Sequence, residues 1–295
     1  MKNKNYTYTV CGKYPGDKLK GKKRYANLYH YTSWDAFVRI WITKRLNFSS
    51  IERVNDILEK IGNSITVPTL HQAPLIWAYN EIRKSYKQVS FTMDYDSYIK
   101  GCMSPMMWGH YGNKGNGVCI EFDFERMQFP DDCWKSPVDY KMAVPKTVQI
   151  DIDVCTTKQL HQFLKKEKRI IFFTKQKSWE QENEYRVISH SAEYIDVSSA
   201  ISAIYLTSCT SQECELVENI VGTVVPIKYI HYIDSKNRAI PVVTDTRTDR
   251  NDRIAAQQNP KNILNDLSKK SLELYESNKH NEDAVLLLKN IMSKK

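Results

Sequence analysis

At 295 residues, 41% of them hydrophobic, the chain can bury a core as one large domain or two small ones, which excludes a disordered polymer. Its formal net charge of +9 suits contact with polyanions and serves solubility equally well. No apolar run of about 18 residues occurs, and the start MKNKNYTYTV has lysines with no apolar stretch behind them, so neither a helical membrane span nor a secretory leader is expected. The seven cysteines (11, 102, 119, 133, 155, 209 and 214) form no CxxC pair, so a structural zinc site is not expected. Their odd number fits a reducing compartment better than a disulfide framework, and the expected location is the cytoplasm, without membrane attachment.

Residues 1–24 are polar and end in the basic run Lys18 to Arg24, read as a solvated arm or as an electrostatic handle for nucleic acid. NLYHYT (Asn27 to Thr32) predicts a strand with Leu28, His30 and Thr32 on one face and Tyr29 and Tyr31 on the other. It runs into SWDAFVRIWITKRL, for which Ser33 is the expected helix N-cap. A strand that delivers His30 to a helix N-terminus makes a corner suited to phosphate or ribose, although a strand histidine is more commonly a satisfied structural residue. LNFSS reads as extended. In IERVNDILEK, Asn55 and Asp56 open or interrupt a helix, with Glu59 three residues beyond Asp56 as part of a cap. Pro68 to Lys87 predicts a helix limited upstream by Pro74, and Val89 to Met93 a strand.

Ser104 to Asp123, SPMMWGHYGNKGNGVCIEFD, is the stretch around which the chain is organised. Trp108 and Tyr111 lie one helical turn apart, and Gly112, Gly115 and Gly117 turn the chain into a strand. On that strand Val118, Ile120 and Phe122 oppose Cys119, Glu121 and Asp123. The aromatic residues form either a plug under a sheet or a surface for a ligand. Residues 126–145 read as loop around one short strand, VDY. Thr156 caps an amphipathic helix carrying Leu160, Phe163 and Leu164.

In SWEQENEYRVIS (Ser178 to Ser189), a strand over Glu182 to Ile188 places Glu182, Glu184 and Arg186 on one face and Tyr185 and Val187 on the other. That face is either a polar sheet surface with cross-strand ion pairs or a carboxylate set against positive charge developing on a sugar. A strand at Ala203 to Ser208, a helix at Ser211 to Val221 and the strands IKYIHYI and AIPVV complete an α+β domain over 25–245. Residues 246–260 read as a linker. Helices at Asn262 to Ser277 and Glu282 to Met292 form a C-terminal helical hairpin within 261–295, which docks on the domain or pairs two copies as a homodimer.

The ordered set LYHYT, VNDILE, VSFTM, SPMMWGHYGNKGNGVCIEFD, VDY and SWEQENEYRVI, over 27–234, resembles the uncharacterised bacterial family known as domain of unknown function 2971. Where that family tends to have a proline after Asn-Asp, this chain has Ile57. The same landmarks resemble, more distantly, the DarT-type DNA ADP-ribosyltransferases, through His30-x-Thr32, the pair Pro105-Met106 and the dipeptide Glu184-Tyr185. Wider ADP-ribosyltransferase families use a His, a Tyr and a Glu in that order, which His30, Tyr111 and Glu184 match.

The resemblance implies an ADP-ribosyltransferase-like split mixed sheet with peripheral helices and NAD as a substrate. It also implies a toxin or phage-defence effector whose acceptor is nucleic acid or protein. Breaking the nicotinamide–ribose bond gives an oxocarbenium-like transition state, which calls for a carboxylate near the sugar, donors on the ribose hydroxyls and an aromatic surface for nicotinamide. On that reading Glu184 and Glu182 are catalytic, and His30, Thr32, Tyr111 and Trp108 bind NAD. Asn55, Asp56, Trp179 and Arg186 are further site candidates, and no metal is expected. The chain has neither a GxGxxG between strand and helix nor a P-loop. Two other readings stay open: a non-catalytic nucleic-acid or partner-binding module of a defence or regulatory system, and a nuclease with Asp56, Glu182 and Glu184 around Mg²⁺, in which Arg186 would compete for the carboxylates.

Overall fold

A computed structural model describes residues 26–245 apart from 63, 67–71, 96–98, 145–146, 151–155, 209–210 and 235–238. The expected basic arm, linker and tail helices lie outside the described residues. The chain divides into two compact units, Met1–Val243 and Thr244–Lys295.

Local sequence sets the first elements. β1 (Asn27–Thr32) passes into α1 (Trp34–Thr43), where the Ser33 hydroxyl accepts from the Ala36 amide at 3.4 Å. β2 (Arg45–Asn47) and β3 (Ser49–Ser50) follow, then a 3₁₀ turn over Ile51–Arg53. Asp56 interrupts the run and caps α2 (Ile57–Ile61), its Oδ1 accepting from the Leu58 amide at 2.9 Å. β4 (Ser64–Thr66), α3 (Gln72–Ser85) and β5 (Lys87–Met93) come next, with Pro74 in the first turn of α3, where its missing N–H costs no helical bond.

Ser104 caps α4 (Pro105–His110), and β6 (Val118–Asp123) follows its glycine turns. β7 (Trp134–Pro137), β8 (Asp139–Lys141) and β9 (Thr147–Gln149) lead to α5 (Thr157–Lys166), which Thr156 and Gln159 close as a reciprocal capping box. α6 (Lys168–Phe172), β10 (Thr174–Gln176) and β11 (Glu184–Ser189) are followed by β12 (Tyr194–Asp196), β13 (Ile201–Leu206), α7 (Ser211–Val221), β14 (Ile227–Asp234) and β15 (Ala239–Asp245).

The main sheet is mixed and runs β15-β14-β13-β6-β1-β5-β11-β7, with β3 also paired to β5. β13 and β14 are parallel, and the pairs from β13 through β6, β1, β5 and β11 to β7 are antiparallel. The expected loop over 126–145 therefore needs correction: Trp134–Pro137 is a strand at the sheet edge, the place where a proline is tolerated.

The decisive feature lies in the middle of the sheet. β1 pairs with β6 over six residues, and β5 with β11 over six, but β1 and β5 pair only at Leu28↔Met93 and Tyr29↔Thr92. Beyond those two pairs the strands part, and the sheet forks.

Apolar side chains cover both faces. Leu28, Phe91, Ile120, Tyr185 and Val187 pack with Phe37, Ile40 and Trp41 of α1 and Val217 and Val221 of α7. Tyr29, Tyr31 and Cys119 pack on the other face with Met107 and Trp108 of α4. A separate cluster joins α3, α5 and α6 to Ile188 of β11. Cys214 in α7 is disulfide-bonded, unlike the expectation from cysteine number, whereas Cys102, Cys119 and Cys133 are free. Among the described residues no helix is long and apolar enough to cross a membrane.

Candidate functional site

The fork between β1 and β5 opens into a cavity of about 600 Å³, a size typical of ligand sites. Its walls include His30, Tyr31 and Thr32 of β1 and Gln88 to Thr92 of β5, together with Asn55, Glu59, Tyr111, Lys175, Glu182, Glu184 and Arg186. Cross-strand pairing puts Tyr29, Thr92 and Glu184 on one face of the sheet, and alternation puts His30 on the other. Both reach the cavity because it passes through the fork.

β11 supplies the chemistry. Tyr185 and Val187 anchor it in the core, while Glu184 and Arg186 project together on the other face, as i, i+2 spacing requires. Arg186 grips Glu184 with two parallel bonds, Nε to Oε1 and Nη2 to Oε2, each 2.7 Å, and Nη1 donates to the Phe172 carbonyl at 2.7 Å. The backbone amide of Glu184 donates to the Tyr140 hydroxyl at 2.9 Å, which fixes the strand's first residue.

The expected strand start at Glu182 needs correction. Glu182 ends a 3₁₀ segment over Lys177–Glu182, and Asn183 adopts a left-handed conformation (φ 46°) before β11 begins. Asn183 holds that bend by donating from Nδ2 to the carbonyls of Met93 at 3.0 Å and Asp94 at 2.9 Å. Nor is the face an exposed polar surface: Glu182, Glu184 and Arg186 are all buried.

Glu182 faces the same cavity from its own segment. Tyr111 donates to its Oε1 at 2.6 Å and Lys175 to its Oε2 at 2.5 Å. Lys175 also stands 3.4 Å from Glu59 and 3.8 Å from Glu184, and Arg186 Nη1 stands 2.6 Å from Glu59 Oε1. Glu59 is thus an ion-pair partner of both cations, yet its oxygens lack hydrogen-bond alignment with any described residue. Three carboxylates against two cations give this buried cluster a formal charge of −1 when all are ionised.

The two neighbouring carboxylates titrate apart. Burial pushes Glu184 up, but Arg186 and then Lys175 outweigh it and hold the carboxyl at about 2. Burial and then the Glu184 charge raise Glu182, against the pull of Lys175 and Tyr111. Burial lowers the Lys175 pKa, but Glu184, Glu59 and Glu182 together outweigh it and raise the ammonium above its ordinary value. On the other wall, His30 Nδ1 donates to the Ser90 carbonyl at 3.0 Å, which leaves Nε2 as the acceptor of a neutral ring. Burial lowers the His30 pKa and the Ser90 bond only partly offsets it.

The sequence-derived candidates divide by position. His30, Thr32, Asn55, Tyr111, Glu182, Glu184 and Arg186 line the cavity. Trp108, expected against NAD, does not: it is a buried plug that donates from Nε1 to the Cys102 carbonyl at 2.8 Å and meets Tyr31 edge-on at 5.1 Å. Asp56 is buried as the α2 cap, away from the cavity walls. Trp179 does not line the cavity either; Lys175 Nζ stands 4.8 Å over its ring. Sequence reading missed Lys175, the place of Glu59 in the cavity wall, and Thr92, whose buried hydroxyl has no hydrogen-bond partner among the described residues. Among the described residues no group of side chains is arranged to hold a metal ion.

Residues 107–187 match the family model described as Protein of unknown function (DUF2971). This matched segment, well under half of the chain and narrower than the expected 27–234, contains Tyr111, Lys175, Glu182, Glu184 and Arg186 and leaves out His30, Thr32 and Glu59. No curated protein and no solved structure matches the chain.

Proposed function

We propose that the protein is an ADP-ribosyltransferase-like enzyme that takes NAD as substrate and acts in the bacterial cytoplasm, as a toxin or phage-defence effector, on nucleic acid or protein. The observation that carries this reading is the cavity through the sheet fork, which brings His30, Thr32, Tyr111, Glu182 and Glu184 together from four separate segments. A sheet that parts between β1 and β5 also agrees with the split sheet that the resemblance implies.

In the proposed reaction the bond from the nicotinamide nitrogen to ribose C1′ breaks, and its electron pair returns to the ring nitrogen, neutralising the pyridinium. Positive charge develops on C1′ and its ring oxygen, where Glu184 in a cluster of charge −1 stabilises it. A nucleophilic oxygen or nitrogen of the acceptor then bonds to C1′ and gives its proton to Glu182. A carboxylate with raised proton affinity beside one that stays ionised is the division of labour such a pair needs. Tyr111 orients Glu182, and neutral His30 accepts from a ribose hydroxyl through Nε2.

A second reading has an observation in its favour. All four oxygens of Glu182 and Glu184 already have protein partners, as expected of a structural charge cluster in a non-catalytic binding module. Incubation with labelled NAD separates the two. The enzyme releases nicotinamide and transfers label to nucleic acid or protein, and Glu184→Gln cuts release about 100-fold or more. Glu182→Gln slows release about tenfold or less while abolishing transfer, because water can supply a nucleophile that a positioned acceptor otherwise provides. Folded wild-type protein that neither releases nicotinamide nor transfers label leaves the binding module.

A further inference from the structure

The cavity carries a second charge pattern that the transferase chemistry does not use. Besides its buried cluster, which includes Arg186, it is lined among the described residues by three further arginines: Arg39 of α1, Arg45 of β2 and Arg53 of the 3₁₀ turn. All three are exposed, so they form a rim, whereas the Glu182 and Glu184 carboxylates are buried at the floor. Arg39 and Arg53 have no carboxylate at ion-pair distance among the described residues. Arg45 stacks on Tyr194 at 4.2 Å and stands across the β2–β12 ladder from Asp196, whose carboxyl is held low by its bonds to Ser198 first and by Arg45 only after them, which leaves the guanidinium on the cavity wall. Asn47, Ser49, Ser50 and Asn55 complete the rim with neutral donors and acceptors.

A net-negative floor and a rim of three guanidiniums select a ligand with opposite polarity at its two ends. The floor accommodates a cationic or positively polarised head, and the rim accommodates adjacent anionic groups. Guanidinium forks match phosphate oxygens in geometry as well as charge. We propose that Arg39, Arg45 and Arg53 form a diphosphate subsite, which assigns to the cavity a ligand whose diphosphate adjoins a cationic head. This deepens the reading of NAD as substrate and rests on it for the identity of the head, but the subsite itself is readable without bond cleavage.

The probes are ADP-ribose and inorganic pyrophosphate, titrated calorimetrically into the full-length protein. ADP-ribose has the diphosphate and neither nicotinamide nor the scissile bond. Both probes bind wild type more weakly as salt rises. Arg39→Gln and Arg53→Gln each weaken both about tenfold, and the double variant more, while Arg126→Gln, an exposed arginine outside the cavity, leaves both unchanged. Adenosine, lacking phosphate, responds to none of the substitutions. Equal binding of ADP-ribose to wild type and the double variant, or no binding to folded wild type, overturns the subsite. So does loss of oligonucleotide binding in these variants with ADP-ribose binding intact, which would make the rim a nucleic-acid contact. ADP-ribose binding that depends on the arginines, without any nicotinamide release, counts against the transferase reading alone.

Discussion

Arg186 has its fork closed on Glu184 and its remaining nitrogen on the Phe172 carbonyl, so its charge is held inside the protein by partners it cannot replace from solvent. Removing one member of such a pair exposes the other to the full cost of burial. Glu184→Gln is therefore expected to lower stability by about 2–4 kcal/mol, with Glu59 still facing Arg186 and moderating the loss. Urea melts at neutral pH measure it, and a change below about 0.5 kcal/mol would contradict the buried pair.

The pH dependence has a definite sign. Glu184 has a folded pKa of about 2 against an ordinary 4.5, so its contribution is complete above pH 4.5 and is lost as pH falls through about 2. Glu182 is shifted the other way: its contribution is present below the ordinary carboxyl value and is lost as pH rises through its raised folded value. The acid limb of the melting temperature should be shallower in Glu184→Gln than in wild type. An acid limb equally steep in both would place the acid-sensitive group elsewhere.

His30 gives the matching prediction for binding. Its ring spans from β1 to β5 through the Ser90 carbonyl and rests edge-on against Phe91 at 5.9 Å. Loss of the Nε2 acceptor in His30→Ala should weaken NAD binding by about 1–3 kcal/mol, read by calorimetry beside a thermal melt. Unfolding of the variant would instead identify His30 as a strut of the fork.

At the scale of elements, the bend before β11 decides whether two carboxylates share one site. On a continuous strand, Glu182 and Glu184 would sit in line on one face; the left-handed Asn183 swings Glu182 out of the sheet and toward Tyr111 and Lys175. Asn tolerates that conformation and its side chain satisfies two carbonyls there. Asn183→Ala should cost about 2–3 kcal/mol and impair the proposed activity, whereas Asn183→Gly should keep the bend and lose only the side-chain bonds. Equal stability of the two variants would mean that the side-chain bonds, not the left-handed backbone, set the cost.

Gly117 is a second fixed point, since a Cβ there would stand 2.3 Å from the Thr32 carbonyl oxygen. The glycine turn before β6 is thus what lets the end of β1 approach closely enough to present Thr32.

The same elements explain what was legible in the sequence. Strand alternation placed Tyr185 and Val187 in the core and Glu184 beside Arg186, and cap chemistry located Ser33 and Thr156, because each rests on residues within one turn or one strand. The Glu182 error arose because a single left-handed residue breaks alternation without a glycine or proline to announce it. Lys175 and Glu59 were invisible as site residues because nothing local relates a lysine on β10 to a glutamate on α2; only the folded sheet brings them to 3.4 Å. The place of the fork was invisible for the same reason, since pairing length is a property of two strands some 60 residues apart; the resemblance implied a split sheet without saying which strands part.

For the molecule as a whole, the proposals give a formal charge of +9 two distinct uses to be separated. The proposed arginine rim would act on whatever enters the cavity, whereas the run Lys18 to Arg24 carries five cations in sequence outside the described residues. If the acceptor is nucleic acid, each cation of that run that meets a phosphate releases a counterion on binding, so affinity falls with salt in proportion to the number of phosphates neutralised. Exchange of Lys18, Lys20, Lys22, Lys23 and Arg24 for glutamine should then flatten the slope of log affinity against log salt by about 0.7 for each phosphate of a single strand left without its cation, up to about 3.5 in all. ADP-ribose binding, which the proposed subsite assigns to Arg39, Arg45 and Arg53, should not change. Oligonucleotide titrations between about 50 and 200 mM salt on wild type and the neutralised chain provide the measurement. An unchanged slope would make the run a solvating arm and shift the search for the acceptor toward protein.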